Sequence, residues 1–129
     1  MKKILYYVHL FTLFGYSYCT VEIIWRGRTH YSMFFAGGII GLLFIALSIK
    51  SKKAPLFKKC LLGTIIITAV ELIFGGIFNV KYNMNVWNYS SLPFNFMGQI
   101  CLPYSILWFG LCFVIFKWII KDDFYNRTF

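Results

Sequence analysis

The sequence predicts an all-α integral membrane protein, a bundle of four transmembrane helices with a polar segment dipping in at the outer face before the last helix. Three observations carry that prediction. Of 129 residues, 60% are hydrophobic and only 13% are charged, with a mean hydropathy of +0.70, too little polar surface to cover a soluble globule. Four stretches approach the roughly 20 apolar residues a helix needs to cross a bilayer. The cations punctuate these stretches rather than gathering on one face, so the net charge of +9 reads as membrane topology and not as nucleic-acid binding.

The four spans run over about residues 4–24, 32–49, 60–80 and 99–120, and they nearly exhaust the chain. The whole of 1–129 is therefore one transmembrane domain. Met1-Lys2-Lys3 before an apolar run resembles a signal peptide, but the run is too long and lacks a small-x-small cleavage site, so it reads as an uncleaved first span. Cys19, Cys60, Cys101 and Cys112 fall in or at the ends of spans, where a free thiol behaves as a small hydrophobe.

Ten cations lie on one side: Lys2, Lys3, Lys50, Lys52, Lys53, Lys58, Lys59, Lys117, Lys121 and Arg127. Three lie on the other: Arg26, Arg28 and Lys81. The positive-inside rule then puts both termini and the loop KSKKAPLFKK in the cytoplasm of a multi-pass membrane protein, with WRGRTHY and KYNMNVWNYSSL outside. Trp25, Tyr31, Tyr82, Trp87 and Tyr89 mark the outer boundary as an aromatic belt, with Trp118 and Tyr125 at the inner one; an aromatic ligand box around Trp87 is the sharper alternative.

Within the third span, Thr64, Thr68, Glu71, Gly75 and Asn79 recur at helical spacing along one stripe. Lipid cannot satisfy such a stripe, so it faces protein or water. Glu71 lies about 16 Å into its span, near the middle of a roughly 30 Å hydrocarbon layer, where a carboxylate marks a functional site; the plainer reading is a protonated Glu71 locking two helices by a hydrogen bond. The first span carries Thr12, Gly15, Cys19 and Glu22 on a similar stripe, expected to face the third span; Arg26, four residues after Glu22, offers an ion pair instead. Gly37, Gly38 and Gly41 in the second span include the Gly-x-x-x-Gly spacing of close helix packing, and that face is a candidate contact for a second copy.

Before the fourth span, Pro93 and Pro103 bracket Asn95, Gly98 and Gln99. A spacing of four puts Asn95 and Gln99 on one helix face, and Pro103 removes a hydrogen bond inside the last span. The segment is expected to line a polar pocket with Glu71, Asn79 and Glu22; an ordinary outer loop is the alternative. The expected ligand-binding set is Glu71, Glu22, Asn79, Asn95, Gln99, Trp87, Asn88 and Tyr89.

Topology puts His9 toward the cytoplasm and His30 outside, which leaves no two-His metal site, no Ser-His or Cys-His pair, and no catalytic residue, cofactor or metal to name. Asn88-Tyr89-Ser90 and Asn126-Arg127-Thr128 match the glycosylation sequon, a chance pattern in a prokaryote.

Glu22, Arg26-Gly27, Tyr31-Ser32-Met33, Gly37-Gly38, Glu71 with Gly75 and Asn79, the run Trp87-Asn88-Tyr89-Ser90, Pro93, Asn95 and Gly98-Gln99-Ile100, and Trp108 together resemble the small bacterial ABC-transporter permease family of CmpB type. The resemblance covers about residues 15 to 110. It departs at Asn88, where the family usually carries Asp. It implies a transport-related, multi-span membrane component whose partners are the lipid bilayer, further copies of itself, and a separate ATPase or other membrane subunit. A non-transporting scaffold or regulatory subunit is the alternative, with a lipid-directed enzyme built on Glu22 and Glu71 behind it.

Overall fold

A computed structural model describes residues 2–51, 53–84 and 86–119. Lys52, Lys121, Arg127, Tyr125, the sequon at Asn126 and the expected end of the last span at residue 120 lie outside the described residues.

The described chain is mostly helical. Helix α1 spans Lys2–Arg26 and α2 Tyr31–Lys50; α3 runs over Leu56–Phe74 and continues as a wider π-helical segment, Gly75–Lys81. A two-stranded hairpin follows, β1 (Asn95–Phe96) antiparallel to β2 (Ile100–Cys101), and leads into α4, Leu102–Val114, itself extended by a π-helical segment, Ile115–Ile119. Two helices, Tyr31–Lys50 and Leu56–Lys81, are long and apolar enough to cross a membrane, and Leu102–Trp118 is a shorter apolar helix. These are the properties of a membrane protein.

Local chemistry accounts for the boundaries. Helix α1 stops at Gly27, whose φ of +78° places it in the left-handed region while its N–H closes on the Ile23 carbonyl at 2.8 Å. Helix α2 starts at His30, whose ring nitrogen accepts from the Ser32 N–H at 3.2 Å and so satisfies one of the free donors at a helix start. Pro103 sits in the first turn of α4, not inside a span, and there its missing N–H removes no helical bond.

Helix α1 packs mainly on α2, α2 on α3, and α3 on α4. A Cβ at Gly41 would fall inside the Phe14 ring, one at Gly38 would lie 2.6 Å from Phe11, and one at Gly37 2.6 Å from Tyr18. The glycine face of α2 is thus filled by α1 of the same chain, which removes it as a contact for a second copy. The stripe on α1 is redirected for the same reason: Gly15 meets Phe34 of α2, not α3 as its spacing suggested. At the other end of the bundle the core is closed by Phe44, Cys60, Cys112 and Phe116, all buried, with Phe44 and Phe116 rings 5.0 Å apart. Gly63 makes that approach possible, since a Cβ there would stand 2.8 Å from the Cys112 sulfur.

The greatest departure from the sequence reading lies between α3 and α4. Asn95 and Gln99 do not share a helix face, because residues 95–101 form the β1–β2 hairpin. Gly98 at φ +73°, with Phe94 and Met97 at +54°, turns the backbone out of any helical path.

Candidate functional site

Glu71 is buried on α3, four residues before the π-helical segment begins at Gly75. Its two oxygens are held by donors from two other parts of the chain. The Tyr89 hydroxyl donates to Oε2 at 3.0 Å, and the Trp108 indole N–H, from α4, donates to Oε1 at 2.9 Å. Burial, and next the Glu71 charge, push the Tyr89 phenol above its ordinary value, so it stays protonated and able to donate. Tyr89 is fixed in turn by stacking on Tyr104, with ring centroids 4.6 Å apart and planes 15° from parallel. Tyr104 and Trp108 lie four apart on α4, which aims both at the same side of that helix.

Above Glu71 a second set of bonds ties the 86–101 segment to the π-helical segment. Asn79 donates through Nδ2 to Gln99 Oε1 at 2.8 Å and accepts the Val86 N–H on Oδ1 at 2.6 Å. Gln99 also donates to the Met97 carbonyl at 2.8 Å, and its own carbonyl accepts the Trp87 indole N–H at 2.9 Å. Gly75 is needed here, because a Cβ in its place would run into the Gln99 side chain. The wider turns from Gly75 to Lys81 set the angle of Asn79, and π-helical turns of this kind recur at functional sites.

The third cluster belongs to α1. Glu22 is buried, accepts from Arg26 at 2.8 Å and from the Thr29 hydroxyl at 2.7 Å, and Arg26 also donates to the Val86 carbonyl at 3.2 Å. Val86 therefore links the Glu22 pair to Asn79 and Gln99 through its two backbone groups. Tyr18 of α1, half-buried, lies within electrostatic reach of both Glu71 and Glu22.

The eight residues expected as a ligand set divide three ways. Glu71 with Tyr89, and Asn79 with Gln99 and Trp87, form a continuous polar zipper between α3 and the outer segment. Glu22 is joined to it through Arg26 and forms the i,i+4 ion pair that its spacing offered. Asn88 and Asn95 are exposed and serve the loop's own backbone: Asn88 accepts from the Ser90 N–H at 2.9 Å, and Asn95 accepts from the Gly98 N–H at 3.1 Å. The aromatics also divide, with Trp25, Tyr31 and Tyr82 exposed as a belt requires while Trp87 and Tyr89 turn inward. Trp108, Tyr104, Tyr18 and Thr29 complete the site without having been named as site residues. The Tyr104/Trp108 spacing was the signal for two of them.

Among the described residues no cation pairs with Glu71, and no three His, Cys, Asp or Glu side chains gather as metal ligands. An open apolar groove of about 390 Å³ runs between α1 and α2, bordered by Tyr16, Thr20, Ile23, Phe34 and Phe35; none of the eight residues lines it.

Among known protein families, the one described as "Putative ABC-transporter type IV" matches the chain over residues 6–127. No solved structure matches it.

Proposed function

This chain belongs to that ABC-transporter family, and on that premise we propose that it is a transport-related component of the bacterial inner membrane. In this reading all four helices span, both termini are cytoplasmic, and the 86–101 segment closes the outer end. Helix α1, at 25 residues, is long enough to span, and Arg26 and Lys81 at the ends of α1 and α3 leave the outer side poor in cations. A separate ATPase or other membrane subunit would dock on the cytoplasmic loops, and more than one copy would be needed to enclose a path, because a four-helix bundle fills its own centre.

One observation carries the reading: among the described residues a mid-span carboxylate is held by neutral donors, one of them delivered by the outer segment. A carboxylate so placed takes up a proton or a cation when its donors leave. Withdrawal of Tyr89 would expose Glu71 to the outer face, and a small cation or cationic solute would replace the hydroxyl. Asn79, Gln99 and Trp87 then bear the carbonyl and amide groups that could coordinate it, and Glu22 with Arg26 sets the position of Val86 beside them.

Flux into liposomes of the reconstituted protein tests this. The reading expects Glu71→Gln to abolish movement of the solute or cation that wild type carries and Tyr89→Phe to change its rate. Equal flux in Glu71→Gln and wild type would refute it.

The hydrogen bonding of Glu71 through both of its oxygens favours a second reading, a scaffold or regulatory subunit in which these bonds only fix helix pairing. There Glu71→Gln would leave any activity of the assembled transporter intact while lowering Tm or changing assembly size. Unchanged Tm and assembly would count against it.

A further inference from the structure

The tip of the outer segment, residues 93–97, presents its apolar groups outward. Asn95 uses its side chain on the turn itself, donating to the Leu92 carbonyl at 2.9 Å and the Ser90 carbonyl at 3.3 Å while accepting from the Gly98 N–H at 3.1 Å. Around it Phe94 is 82% exposed, Met97 63% and Phe96 55%. Phe94 and Met97 both hold φ at +54°, a conformation that bulky residues adopt rarely and that Gly or Asn would relieve. Two strained positions that carry large exposed apolar side chains point to a use for those side chains.

The surroundings identify what meets them. No charged residue occurs between Lys81 and Lys117, so the whole outer segment and most of α4 lack the charges that hold a loop in water. The apolar part of α4, Leu102–Trp118, gives about 25 Å of helix at 1.5 Å per residue, and Ile119 and Ile120 continue the apolar run in the sequence, enough for most of a roughly 30 Å hydrocarbon layer. The outer end of α4 is where the tip attaches. There β2 joins α4 directly, and exposed Leu102, Ile106 and Leu107 continue the apolar surface of the tip.

We infer that the 93–97 tip is a lipid-seated anchor: Phe94, Phe96 and Met97 enter the outer headgroup–acyl boundary of the bilayer and extend the exposed apolar surface of α4. Aromatic side chains favour that boundary. The Asn95 side chain satisfies three of the turn's backbone groups from within, which lowers the polar surface that its entry brings to the acyl chains. Seating of the tip also holds the loop that delivers Tyr89.

Site-directed spin labelling tests the anchor. The full chain carries Phe96→Cys with Cys19→Ala, the other three cysteines being buried, and is reconstituted in liposomes of phosphatidylethanolamine and phosphatidylglycerol. Power saturation with oxygen and with a water-soluble nickel chelate then reports the label's surroundings. The inference expects the oxygen effect to exceed the nickel effect at position 96, as at an Ile106→Cys reference, and the order to reverse at Ser91→Cys. A dominant nickel effect at 96 would overturn it by showing water. Exclusion of both reagents would overturn it too, with dipolar broadening then identifying a second copy. Phe94→Cys is measured in parallel, so a hairpin disturbed by one label is still read through the other.

Discussion

Removing the two donors of Glu71, singly and together, exposes how the outer segment is held. Tyr89→Phe deletes only the hydroxyl at 3.0 Å and leaves the ring stacked on Tyr104. Trp108→Phe deletes the indole N–H at 2.9 Å and some packing volume. A hydrogen bond to a charged group contributes about 1.5 to 3 kcal/mol in soluble proteins, whereas bonds between membrane helices average about 0.6 and reach about 1.7. The overlap sets each single loss at about 1.5 kcal/mol, a tenfold change in the folding equilibrium. After either change one donor remains. After both, the buried carboxylate has no partner, and the penalty for an unsatisfied buried group adds about 1 kcal/mol or more. The double variant is therefore less stable than the sum of the singles predicts, by a coupling of about 1 kcal/mol. Unfolding in mixed micelles by SDS titration, followed by helical circular dichroism, measures all four corners of the cycle. Losses under about 0.3 kcal/mol for each single variant, with additivity in the double, would refute the claim that Tyr89 and Trp108 hold Glu71.

Other consequences follow from the packing and the loop. Gly41→Leu drives a side chain into Phe14 and should cost about 1 to 3 kcal/mol, whereas Gly110→Ala, with open space around its Cβ, should be neutral or gain up to about 1 kcal/mol; thermal unfolding in detergent separates them. Gln99→Ala cuts the bonds to Asn79 and Met97 together, so limited chymotrypsin digestion should cut the aromatic-rich 87–96 stretch several-fold faster, with α1 and α2 intact. Glu22→Gln removes a partly exposed ion pair while keeping an acceptor for Thr29, so it should cost less than about 1 kcal/mol and cost less still at high salt, as read from Tm at two ionic strengths.

Composition and spacing made much of this legible. Apolar runs marked α2 and α3 as helices long and apolar enough to cross a membrane. The stripe of Glu71, Gly75 and Asn79 does turn toward the outer segment, because a polar side chain amid Ile, Leu and Phe has few other places to go. The Glu22–Arg26 pair followed from a spacing of four. The hairpin was hidden by that same spacing: Asn95 and Gln99 imitate a helix face, and only the left-handed backbone at Phe94, Met97 and Gly98 reveals otherwise. Two of those three are residues that give no such warning in a sequence. The π-helical turns after Phe74 were hidden as well, since a regular α-helix was assumed when Asn79 was counted onto the stripe. The partners of Glu71 come from 18 and 37 residues away, a distance over which periodicity carries no information.

The most direct test of the account is the NMR signal of the Trp108 indole N–H in nanodiscs, assigned by its loss in Trp108→Phe. With Glu71 replaced by Ala, this proton should move upfield as its acceptor disappears, while the indole signals of Trp25 and Trp118 stay in place. A Trp108 resonance that ignores the replacement would contradict a carboxylate gripped between the last helix and the outer segment.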